Sequence, residues 1–307
     1  MINGVGLKSF SNNAAPDYSG KTAVVTGATS GIGFATALLM AARGAFVIGA
    51  GRTKESCAGA QERIRGLLPD ARVAFTAADL SAQRQVKGLA ASVKELSGGR
   101  LDALVNNAGA VSSWFMTTED GIEMQFAVNY LAPFLLTQEL LPLLEKAPQG
   151  RVVNLSSGSH NRTRLNFDDL QMRGRYSCLA AYKRTKLEMM MFTLELNRRL
   201  GEGAGVRAAA VDPGLVRTEI GLKHTGGLES LVWKWRMRSG IAPSESAETI
   251  AFAAFDPSLS QRKQAYWKGL APIEPSGYAK REDEAQRLWE ISAQLCGLAQ
   301  AEKTVYN

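Results

Sequence analysis

The stretch Thr26-Gly27-Ala28-Thr29-Ser30-Gly31-Ile32-Gly33 decides the fold of this chain. It follows the apolar, β-rich run Thr22–Thr26 and precedes the small-residue segment Phe34–Arg43, a pattern that predicts a strand, a turn and a helix. Glycines at such a turn let the backbone approach a pyrophosphate, and the helix N-terminus adds N–H donors and positive potential. The stretch therefore predicts a dinucleotide-binding turn.

Further apolar runs alternate with helical patterns along the chain. The predicted strands are Phe46–Ala50, Val73–Ala77, Leu101–Val105, Val152–Leu155 and Val206–Val211. The predicted helices between and after them are Glu55–Leu68, Gln83–Leu96, Ile122–Leu144 and Ala180–Leu200. This alternation predicts one α/β domain, a Rossmann-type doubly wound parallel sheet with helices on both faces.

The alternation also sets the expected domain limits. Residues 1–16 are predicted to be an N-terminal extension, residues 17–300 the nucleotide-binding domain, and residues 301–307 a tail. The segment Gly214–Ala242 departs from the alternation, and so does the chain after Ser258.

Composition narrows the classes of partner. The 307 residues are 45% hydrophobic and carry a net charge of +7, which excludes a disordered chain and favours a polyanionic partner. Nucleic-acid binding is not expected because the basic residues are scattered and form no known module. Three scattered cysteines and two histidines predict neither a disulfide framework nor a metal site, and they favour a reducing, cytoplasmic location. The uncharged stretch Thr22–Ala42 contains the glycine turn, so no transmembrane segment is predicted.

Two basic residues indicate which dinucleotide binds. Nineteen positions after Gly33, where an NAD-binding fold carries a carboxylate for the ribose 2′-hydroxyl, the chain has Arg52, with Lys54 close behind. A guanidinium suits a 2′-phosphate, whereas a carboxylate would repel it. We therefore expect NADP(H) as the cofactor.

A tyrosine and a lysine supply candidate acid–base chemistry. Tyr182 and Lys186 are four residues apart in a helical pattern, so they share one face. A free tyrosine has a pKa near 10, and a nearby ammonium draws that pKa toward neutrality. Ser157 follows the predicted fifth strand, which places a hydroxyl at the carboxyl edge of the sheet.

Together these residues resemble the short-chain dehydrogenase/reductase family over residues 17–300. The order of the matching motifs along the chain carries the resemblance. The matches are Thr26–Gly33, Asp79-Leu80, Asn106-Asn107-Ala108-Gly109, Asn129, Ser157, Tyr182 with Lys186, and Asp212-Pro213-Gly214 with Thr218.

The resemblance implies a role for each matching residue. Tyr182 would be the general acid/base, Ser157 would hydrogen-bond the substrate oxygen, Lys186 would hold the nicotinamide ribose, and Asn129 would anchor a water. Asp79 would contact the adenine, Asn107 and Gly109 the adenosine side, and Pro213 to Thr218 the nicotinamide end. The full cofactor-binding set is Gly27, Thr29, Ser30, Gly31, Ile32, Gly33, Arg52, Lys54, Asp79, Leu80, Asn107, Ala108, Gly109, Tyr182, Lys186, Pro213, Gly214, Val216 and Thr218.

Three further stretches look like the retinol-dehydrogenase and WW-domain-oxidoreductase branch: Leu165–Leu170, Arg175–Ser177 and Asp283–Ser292. This branch implies a small hydrophobic carbonyl or alcohol as substrate, although the N-terminus shows no apolar anchor, which argues against retinol itself. Leu222–Ser239 is interpreted either as a substrate lid or as a peripheral membrane contact. The run Met189–Phe192 is expected in the core or in a homodimer interface.

The predicted function is NADP-dependent interconversion of a carbonyl and an alcohol by hydride transfer. Two alternatives stay open: reduction of a carbon–carbon double bond, as in protochlorophyllide reductases, and a dinucleotide sensor without catalysis. The sequence leaves the substrate, the physiological direction and the oligomeric state undetermined.

Overall fold

A mixed sheet forms the centre of the computed structural model, which describes residues 16–214, 242–261 and 264–298. Its strand order is β3-β2-β1-β4-β5-β6-β7-β8, with β1 to β7 parallel and β8 antiparallel to β7. The strands are β1 Thr22–Thr26, β2 Phe46–Gly51, β3 Val73–Ala77, β4 Ala103–Asn106, β5 Gly150–Leu155, β6 Val206–Asp212, β7 Tyr266–Lys268 and β8 Ala271–Pro272.

Helices follow most of the strands. The α-helices are α1 Gly31–Ala42, α2 Lys54–Leu67, α3 Gln83–Leu96, α4 Met124–Phe126, α5 Ala132–Leu144, α6 Cys178–Leu200, α7 Pro243–Phe255 and α8 Glu282–Leu295. A π-helical turn, Ala127–Leu131, joins α4 to α5, and short 3₁₀ turns cover Gly158–His160 and Pro257–Gln261. None of the helices described is both long and apolar enough to cross a membrane.

The alternation of side chains along the strands creates two apolar layers. In β1, Val24 is buried in the layer that contains α3, α5, α6 and α8, whereas Ala23 and Val25 are buried in the layer that contains α1, α2 and α7. Successive strand residues point to opposite faces, so a sheet covered by helices on both faces must be apolar at every position. The chain is therefore doubly wound around one sheet, and the predicted fold class is confirmed.

The structure differs from the sequence prediction in three places. The predicted helix Ile122–Leu144 is divided by the π-helical turn. Helix α7, which lies between the two segments that depart from the alternation, is not among the predicted helices. Strands β7 and β8 lie after Ser258, where no strand is predicted, and β7 has only three residues, too few to show a period. The predicted extension, the segment 215–241 and the tail lie outside the described residues except at their borders.

The parallel strands all end at one edge of the sheet. Asn106, Leu155 and Asp212 are the last residues of three neighbouring strands, and the glycine turn follows the adjacent strand β1. Open α/β sheets bind ligands outside the carboxyl ends of their strands. This edge is the place to look for a functional site.

Candidate active site

A cleft of about 1210 Å³ runs along the carboxyl edge of the sheet. Drug-sized ligands occupy pockets of about 300–1,000 Å³, so this cleft has room for a larger ligand. Most of the predicted cofactor-binding residues line it. They are Gly27, Thr29, Ser30, Gly31, Ile32, Gly33, Arg52, Asp79, Leu80, Asn107, Ala108, Gly109, Tyr182, Lys186, Pro213 and Gly214.

The glycine turn lies tightly against the loop that follows β4. A Cβ atom on Gly33 would be 2.3 Å from the Gly27 carbonyl oxygen and 2.4 Å from Asn107 Nδ2, so no side chain fits there. Asn107 Nδ2 donates to the Thr26 carbonyl oxygen at 2.7 Å, which fixes the two loops together. Gly27 and Gly31 have φ angles of +66° and +56°, which glycine adopts readily.

This turn fits the pyrophosphate of a dinucleotide. Helix α1 begins at Gly31, so its N-terminal N–H groups face the cleft beside glycines that leave the backbone uncovered. The turn also packs closely against the end of β2, because a Cβ atom on Gly51 would be 2.3 Å from Thr29 Cγ2. The residues present therefore provide a close-approach cradle for a nicotinamide dinucleotide.

The cleft wall beyond β2 is basic. Arg52 is exposed and lines the cleft, but Lys54, the first residue of α2, is exposed and is not a lining residue. Ser56 and Arg63 line it instead, and the Arg63 guanidinium lies 4.1 Å from the ring centre of Phe34. The prediction missed Arg63, although its spacing of seven residues from Ser56 places both on one face of a helix.

The loop after β3 brings Asp79 and Leu80 to the same edge. Asp79 Oδ1 accepts a hydrogen bond from the Ser81 N–H at 2.9 Å, and the Asp79 N–H donates to Gln85 Oε1 at 2.9 Å. These bonds fix the loop that carries Asp79 and Leu80 into the cleft.

Tyr182 and Lys186 lie together near the start of α6. Lys186 Nζ is 5.5 Å from the ring centre of Tyr182 and donates to the Leu155 carbonyl oxygen at 2.8 Å. Burial lowers the pKa of Lys186 to about 8, and the nearby Asp212 carboxylate opposes that decrease. Tyr182 is half-buried and lines the cleft, so its ring is accessible to a ligand.

Ser157 lies in the cleft at the loop after β5. Its Oγ accepts the N–H of Ser159 at 3.2 Å, which leaves the hydroxyl hydrogen available to a ligand. His160 Nδ1 is 2.7 Å from the Ser157 carbonyl oxygen, and its Nε2 is 3.2 Å from the backbone nitrogen of Ser276. A carbonyl oxygen can only accept and a backbone N–H can only donate, so these two contacts fit the imidazole tautomer that carries its proton on Nδ1.

Asn129 is in the π-helical turn and does not line the cleft. Its Oδ1 accepts the N–H of Ala110 at 2.6 Å, and its Nδ2 donates to the Ala110 carbonyl oxygen at 2.9 Å and to Thr185 Oγ1 at 3.3 Å. Thr185 Oγ1 in turn donates to the Tyr182 carbonyl oxygen at 2.9 Å. The amide thus joins the loop after β4 to the helix of Tyr182. Its predicted water-anchoring role stays a prediction.

The cleft also has apolar lining residues. They come from the loop after β4, from α4 and the π-helical turn, and from the start of α6: Val111, Met116, Met124, Val128 and Leu179. These side chains suit an apolar ligand. The predicted cofactor residues Val216 and Thr218, and the segment Leu222–Ser239, lie outside the described residues.

Comparison with known proteins places this geometry among enzymes. The model of the family described as short chain dehydrogenase matches residues 21–226. Retinol dehydrogenase 13 of Homo sapiens is 40% identical over 91% of this chain and 85% of the relative. Polyprenol dehydrogenase of Mus musculus is 36% identical over 92% of this chain and 85% of the relative.

Solved structures give the same result. A crystal structure of a protein from Mycobacterium Paratuberculosis superposes with a TM-score of 0.73 at 32% identity and covers 92% of this chain and 96% of that one. A metagenomic short-chain oxidoreductase in complex with NADP superposes with a TM-score of 0.60 at 26% identity and covers 84% of this chain and 98% of that one.

Proposed function

Because this chain belongs to the short chain dehydrogenase family, we propose that it interconverts a carbonyl and an alcohol on a small hydrophobic molecule with NADP(H) as the cofactor. One observation carries the proposal. Ser157, Tyr182 and Lys186 reach the same cleft as the glycine turn, so a hydroxyl donor, a phenol and an ammonium flank one end of a dinucleotide cradle.

Each of these side chains has a defined task in reduction. Ser157 donates its hydroxyl hydrogen to the substrate oxygen and orients the carbonyl. Tyr182 delivers its phenolic proton to that oxygen as the alcohol forms. Lys186, charged and tethered to Leu155, stabilises the phenolate that remains. When bound, NADP(H) supplies the hydride chemistry. In oxidation Tyr182 would act as the base.

The basic wall beyond β2 supports NADP over NAD. A 2′-phosphate needs a cation near the end of β2, and Arg52 is in the cleft at that position. Arg63 adds a second guanidinium to the same wall, and its contact with the Phe34 ring limits the positions it can take. One of the superposed relatives was solved with NADP, which agrees with this assignment.

The apolar lining of the cleft supports a hydrophobic substrate. Met116, Met124 and Leu179 offer flexible apolar surface in the same cleft as Tyr182. Two relatives are named retinol dehydrogenase and polyprenol dehydrogenase, and retinol and polyprenol are both long apolar alcohols. We infer an apolar alcohol or its aldehyde or ketone. The cytoplasmic location, the homodimer and the peripheral membrane contact stay predictions.

A cofactor-oxidation assay tests the proposal. The protein is mixed with NADPH or NADH and a panel of apolar aldehydes, ketones and enones, and absorbance of the reduced cofactor is followed. We expect turnover of aldehydes or ketones with NADPH and at least about tenfold less with NADH, since a lost charged contact costs about 1.5–3 kcal/mol. Reaction of enones alone at the double bond, or tight NADPH binding without any turnover, would overturn it.

A further inference from the structure

Asp212 ties together two loops of the active site. It is the last residue of β6 and is 8% exposed. Its Oδ2 accepts the N–H of Gly158 at 3.0 Å, and its Oδ1 accepts the N–H of Gly214 at 2.9 Å. Gly158 directly follows Ser157, and Gly214 lines the cleft. One carboxylate therefore holds the loop after β5 and the loop after β6 in a fixed relation.

The approach of the Ser157 loop to this carboxylate is close. A Cβ atom on Gly158 would be 3.2 Å from Asp212 Oδ2, which is tighter than ordinary contact. Ser157 is thus held on both sides. Asp212 binds the N–H of the next residue, and His160 binds the carbonyl oxygen of Ser157 itself. Such bonds keep a reactive hydroxyl in one place during reaction.

The charge of Asp212 acts on the buried lysine. Lys186 is buried at the edge of the cleft, and its Nζ donates to the carbonyl oxygen of Leu155, which pairs in register with Val211, the residue before Asp212. Burial disfavours the ammonium form of Lys186 and lowers its pKa, whereas the Asp212 carboxylate favours that form. Other titratable groups surround the pair: Tyr182 on α6, His160 on the 3₁₀ turn, and Tyr266 and Lys268 on β7. Lys268 pairs in register with Asp212 across the sheet. Burial and the nearby Asp212 carboxylate raise the pKa of Tyr266, so that phenol stays neutral.

We propose that Asp212 is a positioning residue for the reaction, which fixes the Ser157 loop through Gly158 and holds a negative charge beside the Lys186 ammonium. The inference rests on the proposed function for its effect on turnover. Its effect on Lys186 does not depend on the reaction.

The first test is the pH profile of kcat for NADPH-dependent reduction of an apolar aldehyde. Asp212→Asn removes a negative charge that favours the protonated form of Lys186. The fall of kcat at alkaline pH should therefore begin about one pH unit lower in this variant than in the wild-type chain. Asp212→Glu keeps the charge but moves the carboxylate by one methylene, so kcat should fall without that shift. Asp168→Asn removes the same charge at an exposed position outside the cleft lining, so it is the matched control and should keep the wild-type profile. Equal profiles for wild type and Asp212→Asn would overturn the inference, even if kcat falls.

The second test needs no turnover. With ¹³Cε-labelled lysine, NMR follows the titration of Lys186, and its signal is assigned by its loss in Lys186→Met. We expect a midpoint at about 8 in the wild-type chain and a lower midpoint in Asp212→Asn. A wild-type midpoint at or below neutral pH overturns the inference whether or not Asp212→Asn folds, and so do equal midpoints. A shifted midpoint in a chain that turns nothing over would mean that the proposed function fails while this inference stands.

Discussion

Lys186 and Tyr182 are one helical turn apart on the same face of α6, with the ammonium nitrogen 5.5 Å from the ring centre. The lysine does not move freely about the tyrosine, because its nitrogen also donates to the carbonyl oxygen of Leu155 at 2.8 Å. Leu155 is the last residue of β5, two residues before Ser157. The edge of the sheet therefore holds the Lys186 ammonium, and with it a positive charge, close to the Tyr182 phenol.

The first prediction concerns the phenol. Tyr182→Phe should lower turnover by about 10²–10⁴-fold, because general acid–base catalysis contributes that much. NADPH binding, measured by quenching of protein fluorescence, should change little, since the glycine turn and Arg52 are untouched. Tyr278→Phe is the matched control, because its hydroxyl donates to Glu284 Oε2 at 2.7 Å and the residue does not line the cleft. Comparable turnover in wild type and Tyr182→Phe would remove the tyrosine from the mechanism.

The second prediction concerns cofactor choice. Arg52→Gln should raise the Kd of NADPH about tenfold or more and leave the Kd of NADH nearly unchanged, because a charged hydrogen bond contributes about 1.5–3 kcal/mol. Lys54→Gln removes the same charge two residues away, outside the cleft lining, and should change neither constant by more than about twofold. Titration calorimetry measures all of these. If both variants weaken NADPH equally, general charge attraction is responsible rather than a contact by Arg52.

The glycine turn and the main strands could be predicted because their signals are local. All six predicted strands agree with β1 to β6 to within two residues at each end: β4 begins two residues later than expected, and β5 begins two residues earlier. The resemblance to the short-chain family and its retinol-dehydrogenase branch is confirmed by the family match and by the relatives. The order of the short motifs along the chain is informative because each parallel strand ends at the same edge of the sheet, where its motif contributes to one site.

The rest of the site depends on contacts between distant parts of the chain. His160 reaches Ser276, 116 positions further on, and nothing near either residue in the sequence predicts that bond. The sequence predicts Lys54 as a cofactor-binding residue because it is two positions from Arg52. Lys54 is the first residue of α2, however, and the rotation of about 100° per residue in a helix decides which of its side chains face the cleft. Arg63, about two and a half turns after Lys54, lines the cleft and Lys54 does not. The π-helical turn at Asn129 likewise has no local sequence signal.

The third prediction tests the link between His160 and Ser157. His160→Asn keeps a side-chain N–H that can donate to the Ser157 carbonyl oxygen, whereas His160→Leu has a similar size and no donor. Both variants leave the Ser276 N–H without its partner, which should lower the free energy of unfolding by about 1–3 kcal/mol in urea. Only His160→Leu should also lower kcat by several-fold. Equal kcat values for the two variants would contradict a role for His160 in holding Ser157.

The fourth prediction concerns a buried carboxyl outside the active site. Glu188 on α6 is fully buried, and neither of its oxygens has a hydrogen-bond partner among the residues described. Burial, with a contribution from the Glu123 carboxylate, raises the pKa of Glu188 well above its ordinary value, and Arg184 opposes that increase only in part. A raised folded-state pKa means that stability is lost as the pH rises above the unfolded value of about 4.3.

Glu188→Met should therefore raise the free energy of unfolding, and the gain should be larger at about pH 8 than at about pH 5. Urea unfolding at the two pH values measures the difference. Glu195→Gln is the control on the same helix and should instead destabilise, because Glu195 is buried and accepts hydrogen bonds from Arg198 and Arg199 at 2.6–2.7 Å. A gain that does not depend on pH would mean that Glu188 does not titrate as its burial implies.

The most direct measurement follows the hydride itself. NADPH carrying deuterium at the transferring position of C4 is mixed with the protein and with an apolar α,β-unsaturated aldehyde, and the product is analysed by mass spectrometry and NMR. We expect one deuterium on the carbinol carbon of an allylic alcohol, and almost no product from Tyr182→Phe. Deuterium at the β-carbon of a saturated aldehyde would contradict carbonyl reduction, and so would undiminished product from Tyr182→Phe.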